Sequence, residues 1–431
     1  MSVVLKNNNS LVVSKQKPLY NRPSDWLTLN DLNETDEKFV GLYGVFSGDS
    51  NYVTVLSQGD YTVDWGDGTI ENFNSNVLAE HGFVYGNISN STLTTDGYKQ
   101  VIITITPQNN QHITYIDFQN TPTIYSGNGL SISSNWLEMK MSLNYVSGGF
   151  SLSSPSNYRH RFLRAFICQG SEDFILNSSF NSFFNECVDL EYVKFFNCSS
   201  GDYRSFFTDC RSIKTIEGNF IPTTTVNFAN TFRNCYTLQN LPNIILNSGE
   251  VTSFNFTFQN CYNLTNIDLS SLSLSNSGIA FSVSAARSLF DPPKIDFSTV
   301  PQIFFTFTSC GIQYLTSDYV FGNISWNSLF SSTNNLMTLS SFNVSGVTSY
   351  SNTFANSFGN LLRCQLFNIN ASINFSNKRL GKNEIVEIFN NLKDRTSTTS
   401  ANIDITSCYG AFYLTAADRL IATNKNWTIT G

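Results

Sequence analysis

Charge is scarce in this 431-residue chain: Asp, Glu, Lys and Arg together supply 13% of it, against about a quarter in ordinary globular domains. With 25 basic residues, no basic run and a net charge of -7, the chain lacks what a nucleic-acid binder needs to neutralise phosphates. Long apolar runs are missing too. None approaches the roughly 20 residues that cross a bilayer, so no membrane insertion is expected. The start, Met1-Ser2-Val3-Val4-Leu5-Lys6-Asn7-Asn8, has no basic region followed by an apolar core and cleavage site, which predicts synthesis in the cytoplasm without a secretion signal. Sequons such as Asn87-Ile88-Ser89 and Asn255-Phe256-Thr257 are expected by chance in so Asn/Ser/Thr-rich a chain and carry little weight.

Close cysteine pairs are absent. Nine cysteines is an odd number and none sits in a Cys-x-x-Cys spacing, so neither a disulfide framework nor a zinc site is indicated. The three histidines, His81, His112 and His160, lie far apart, and there is no Gly-x-Ser-x-Gly elbow, His-Glu-x-x-His motif, phosphate loop or glycine-rich dinucleotide turn. No enzyme activity and no cofactor are expected. Paired carboxylates for glycoside hydrolysis remain the alternative, since carboxylates can converge without a motif.

What the chain has is aromatic and small polar residues. Aromatics make up 14%, with 37 phenylalanines, in a background of Asn, Ser and Thr. Aromatics favour half-buried strands and small polar residues favour turns, so a mainly β fold with little helix is expected.

The sequence also repeats. Phe183-Phe184-Asn185-Glu186-Cys187-Val188-Asp189-Leu190 aligns without gaps with Phe206-Phe207-Thr208-Asp209-Cys210-Arg211-Ser212-Ile213, with Thr231-Phe232-Arg233-Asn234-Cys235-Tyr236-Thr237-Leu238 and with Thr257-Phe258-Gln259-Asn260-Cys261-Tyr262-Asn263-Leu264. The cysteines are 23, 25 and 26 residues apart, and Phe307-Thr308-Ser309-Cys310 follows 49 later, two steps on. A degenerate unit must therefore lie near Ser288-Leu289-Phe290. Later units, Phe330 to Leu336 and Phe354 to Leu361, keep the apolar frame without the cysteine. The same phase runs backwards through Phe166 and Met139 to Ile116. Each unit leads into a short apolar stretch, as in Leu190–Phe195, Leu238–Pro242 and Leu264–Leu269, predicting one strand per repeat. Such a unit cannot bury its apolar side alone, so stacking into a solenoid with a continuous parallel sheet follows.

These units resemble the cysteine-containing, leucine-rich-like repeats of bacterial surface adhesins, most clearly over residues 180–270. At the C-terminus, Lys382–Phe389 has helical periodicity, and Thr415-Ala416-Ala417-Asp418 reads as a capping-box start to a helix running towards Asn424. The ending Ala422–Thr430 is similar to the closing cap of arrays in phage tail and appendage proteins. In the N-terminal third, Tyr61–Thr69 with its Trp65-Gly66-Asp67-Gly68 turn, then Glu80–Tyr85, then the alternating Gly97–Ile105 run, resembles a PKD domain, implying an immunoglobulin-like β-sandwich. Arg22–Leu29 is similar to a segment found beside such domains in cyanophage virion proteins.

The organisation expected is thus an N-terminal arm or anchor at 1–37, a PKD-like β-sandwich at 38–107, a leucine-rich-like solenoid at 108–380 and a small helical cap at 381–431. The resemblances imply a non-enzymatic virion structural protein of a phage, a tail or neck fibre mediating assembly and host attachment, with a capsid decoration protein or a bacterial adhesin as alternatives and a tail-spike hydrolase as a further one. Partners would be other virion proteins and a host polysaccharide or protein receptor. A homo-oligomer, and a trimer in particular, is implied by resemblance alone, because no heptads specify one.

Three sets of residues could carry chemistry. Asp64 and Asp67 could hold Ca²⁺, or could accept backbone N–H groups in their turn. The cysteine ladder of Cys187, Cys210, Cys235, Cys261 and Cys310 could be a metal or redox track, but one cysteine per coil suits small buried fillers better. The phenylalanine ladder of Phe184, Phe207, Phe232, Phe258 and Phe307 is read as core rather than as a carbohydrate-stacking platform.

Overall fold

A computed structural model describes residues 3–6, 10–13, 20–33, 35–48, 51–108, 110–123, 132–142, 146, 149–152, 158–169, 173–175, 182–245, 251–265, 267, 284–289, 303–304, 306–315, 324–357 and 360–431. The chain is mainly β, with a β-solenoid of about eight turns and, among the described residues, two α-helices. Phe290 of the degenerate unit and the end of the 264–269 stretch lie outside the described residues.

A short hairpin, β1 (Val3–Lys6) and β2 (Ser10–Val13), precedes the main body. Two antiparallel sheets follow. One contains β3 (Lys38–Val45), β5 (Tyr61–Asp64), β6 (Ile70–Phe73) and β8 (Lys99–Pro107), and the other pairs β4 (Tyr52–Gln58) with β7 (Leu78–Gly82). The alternation along β8 puts Val101, Ile103 and Ile105 into the core between the sheets, against Tyr43, Val55 and Tyr61. Tyr61 fastens the two layers by donating its hydroxyl to the Val55 and Val77 carbonyls, at 3.1 and 2.6 Å.

Backbone pairing continues across residue 108 in both sheets. β9 (Tyr115–Asp117) joins β4, and in the other sheet β11 (Trp136–Ser142) pairs antiparallel with β3 on one side and parallel with β14 (Ala165–Cys168) on the other. From β14 the ladder runs in parallel through β16 (Tyr192–Asp202) to β17 (Thr215–Asn227), with Met139, Phe166, Val193 and Ile216 in register. Strands and solenoid therefore share one 11-stranded sheet. The backward phase through Phe166 and Met139 matches this register, whereas Ile116 pairs with Phe150 in the second sheet. Gly41 makes the joint possible: a Cβ there would come within 2.3 Å of the Trp136 ring, which packs edge-on against Phe39 and Tyr43.

The outer face of this joint is covered by residues 20–33. Trp26, Leu29 and Leu32 form a second apolar cluster with Val40, Leu42, Tyr98 and Leu137. Polar contacts fix the path: Trp26 Nε1 donates to Tyr98 Oη at 2.8 Å, Arg22 pairs with the buried Glu138 at 2.5 Å, Lys140 Nζ reaches the Leu29 carbonyl at 3.0 Å, and the Leu32 N–H reaches Gln169 at 2.8 Å. The guanidinium groups of Arg22 and Arg164 each lie 5.6 Å from the Trp26 ring. This part of the expected arm is a docked strap.

At the other end, α1 (Lys382–Asn391) buries Ile385, Ile388 and Phe389. α2 (Ala416–Thr423) starts at Thr415, whose side chain forms the capping box with Asp418, as the sequence predicts. Lys425 Nζ donates to the carbonyls of Phe389, Asn390 and Leu392 at 3.2, 2.6 and 3.0 Å, satisfying the C-terminal carbonyls of α1 where a cation is favoured. The strands Ile373–Asn374, Ala401–Asp404 and Trp427–Thr430 close the array in parallel.

Candidate functional site

The repeat Phe-x-x-Cys forms the same turn in each coil. The residue before the cysteine position is left-handed throughout, at Glu186, Asp209, Asn234, Asn260, Ala285, Ser309, Ser332, Asn356, Asn377 and Ser407, with φ between 54° and 62°. Asn and Asp tolerate that region better than other side chains with a Cβ, which accounts for Asp209, Asn234, Asn260, Asn356 and Asn377 at this position. The turn also stacks by hydrogen bonds. Phe184 N–H donates to the Phe206 carbonyl and Phe207 N–H to the Thr231 carbonyl, both at 2.8 Å. Glu186 and Asp209 N–H groups reach Thr208 and Arg233, both at 2.9 Å. The turns thus form a second inter-coil ladder beside the strands.

The phenylalanines fill the axis. Phe184, Phe207, Phe232 and Phe258 are fully buried and stack ring on ring at 5.1, 5.8 and 5.9 Å, and Phe307, Phe330, Phe354 and Phe375 continue at 5.7, 5.8 and 5.3 Å. Both faces of the internal rings are covered by neighbours. The cysteines do more than fill space: Cys210, Cys235 and Cys261 donate their S–H groups to the carbonyls of Phe184, Phe207 and Phe232 on the preceding coil, at 3.0, 3.2 and 3.0 Å. Cys408 does the same to Phe375 at 3.0 Å, and Thr333 takes the role with its hydroxyl towards Phe307. Burial pushes the thiols of Cys187, Cys210, Cys235, Cys261 and Cys310 up, away from the thiolate form that metal ligation and redox chemistry use. Among the described residues no three His, Cys, Asp or Glu side chains are grouped to hold a metal.

Asp64 and Asp67 flank Trp65 in the turn between β5 and β6. Asp64 accepts the Gly66 N–H and Asp67 the Thr69 N–H, each at 3.0 Å. Asp67 also meets His81 Nε2 at 2.8 Å, and the His81 ring lies 4.9 Å from Trp65, nearly parallel. One oxygen of each carboxylate is engaged by a backbone N–H of the turn, and Gly66, at φ +79°, leaves no room for a Cβ beneath the Ile102 carbonyl.

The solenoid surface carries polar columns. Asn234 Nδ2 donates to Asp209 at 3.1 Å and Asn260 Nδ2 to Asn234 at 2.7 Å; Asn219 and Asn243 form another column on Asn197, at 2.9 and 3.1 Å. Tyr236 and Tyr262 stack at 5.0 Å between Arg211 and Arg287. Further along, a cavity of about 280 Å³ opens among Asn352, Phe354, Asn356, Asn374, Asn377 and Lys378. Sequence reasoning missed Lys378. It stands in the cysteine position of Phe375-Ser376-Asn377-Lys378, and extending the Phe-x-x-Cys frame by one more coil would have exposed the exchange.

Comparison of the chain with protein families, curated proteins and solved structures finds no match.

Proposed function

We propose that this is a non-enzymatic structural protein of a phage particle, a tail or neck fibre or other surface appendage in which a PKD-like bead carries a leucine-rich-like solenoid that recognises a host surface polysaccharide or protein receptor. The observation that carries the reading is the run of self-complementary polar columns along a rigid parallel array: Asp209, Asn234 and Asn260 on the turns, and Asn197, Asn219 and Asn243 on the strands. Such columns offer amide donors and acceptors at a regular repeat, which suits recognition spread over area. The resemblance of Trp65-Gly66-Asp67-Gly68 and His81 to PKD domains, and of Arg22–Leu29 to cyanophage virion proteins, supports placing it on a particle.

The test is cryo-electron microscopy of purified virions from the source phage, with subunits identified by mass spectrometry. Density for the joined sheets and solenoid on the particle is expected, and its position separates a fibre from a capsid decoration. Absence from particles with presence on a bacterial surface would favour the adhesin reading and overturn this one.

A further inference from the structure

One coil departs from the ladder. Where the other turns place Cys187, Cys210, Cys235, Cys261, Ala286, Cys310, Thr333, Ser357 or Cys408, all neutral, this coil places Lys378, 6% exposed. Its Nζ donates to the carbonyls of Ser357 and Ser376 at 2.8 and 3.0 Å. An ammonium has three N–H groups, so one is left without an acceptor among the described residues, and no carboxylate there forms an ion pair with it. A buried cation without a counter-charge is costly. A neutral donor would serve the coil as well, as Thr333 does.

The same coil holds the cavity. Lys378 and both of its carbonyl partners line it, together with Asn352, Asn356 and Asn377, whose side-chain amides have no hydrogen-bond partner among the described residues. Asn374 is engaged with Asp404 at 3.0 Å, and Asp404 is the carboxylate tied to the lining. Phe354 offers no ring face, being stacked between Phe330 and Phe375. The site is therefore polar, with one positive group at its base and free amides around its mouth. We propose that it binds a carboxylate-bearing sugar, the carboxylate taking the third N–H of Lys378 and the ring hydroxyls pairing with the amides of Asn352, Asn356 and Asn377. The inference rests on the reading of the solenoid as a recognition surface and names the class of unit it takes.

Titration of the full chain with D-glucuronate, followed by NMR or calorimetry, tests it, with D-glucose and acetate as comparators. Saturable glucuronate binding is expected, with a Kd on the order of 1 mM. Glucose and acetate should each bind about tenfold or more weaker, the loss of one charge-assisted bond or of the hydroxyl contacts. The Lys378→Thr variant restores the neutral ladder donor, so it should fold with an unchanged or higher Tm and lose glucuronate binding. Absence of saturation by glucuronate, equal binding of acetate, or undiminished binding by folded Lys378→Thr would each overturn the proposal. A chain that binds glucuronate but is missing from virions would keep this site and remove the virion reading, and the converse result would do the reverse.

Discussion

Replacing Cys235 by threonine and, separately, by valine distinguishes a thiol that fills space from one that donates. The two substitutes have nearly the same shape, but only threonine can give a proton to the Phe207 carbonyl, which Cys235 now reaches at 3.2 Å. If volume alone mattered, valine would match or exceed threonine, because burying a hydroxyl has a desolvation cost. If donation matters, threonine wins, as Thr333 does towards Phe307. The Phe207 carbonyl also accepts the Cys210 N–H at 3.1 Å, so valine leaves one lone pair empty rather than a wholly unpaired group. The expected advantage of threonine is then about 1 kcal/mol, roughly fivefold in the local opening equilibrium. Amide hydrogen exchange across coils 207–238 of the full chain is the suitable assay, since long repeat arrays need not unfold all at once. Equal or better protection in the valine variant would refute the donor role.

Three further outcomes follow from other parts of the molecule. Trp26→Ala should release the strap, removing about 3–5 kcal/mol of local packing, with exchange protection lost over residues 20–33 while coils beyond residue 215 keep theirs; uniform loss would mean that the strap is not a separate unit. Ala285, at φ 62°, sits in the left-handed position that Asn234 and Asn260 fill on the two preceding coils, so Ala285→Asn should gain about 0.5–1 kcal/mol, read as a higher Tm, and a lower one would count against the turn analysis. His160 is fully buried, with Nε2 donating to the Leu152 carbonyl and the Ser134 hydroxyl donating to Nδ1, and burial drives its pKa down to about 4. The unfolded chain takes up that proton near 6.5 and the folded chain does not, so stability is full above pH 6.5 and falls by up to about 3 kcal/mol on the way to pH 4. Urea titrations at both ends of that window should show a smaller pH effect in His160→Asn; an unchanged effect would assign it to other groups.

How far the sequence revealed the fold depended on whether a feature recurs. The Phe184 column recurs in most coils and the Cys187 column in about half of them, so the solenoid and its phase were legible, as were the capping box at Thr415 and the Lys382–Phe389 helix, which local chemistry specifies. The joint between β3 and β11 was not, because pairing of strands about 90 residues apart leaves no local mark. The strap was equally hidden: Trp26, Leu29 and Leu32 recur every three residues over too short a run to match either strand alternation or a sustained helical stripe, and they read as an arm until their partners are in place. The candidate site was partly legible. Its frame is the repeat, but its meaning lies in an exception, Lys378, and the cavity beside it forms only where residues 352–357 and 374–378 meet in space.

The strap bears on how the molecule takes load. In a stacked array the backbone hydrogen bonds point along the long axis, so tension between the ends would draw coils apart across those weak links, whereas compression is met by contact between stacked rings. At the joint, residues 20–33 run from Tyr20 on β16 over to Tyr98, just before β8, and Gln100 on β8, and back to Gln169 beyond β14. A covalent chain therefore crosses the junction in both directions, and a pull on it is shared by peptide bonds as well as by the ladder. The base of the solenoid is braced like a bound hinge, leaving the more distal coils as the place where stretching would begin.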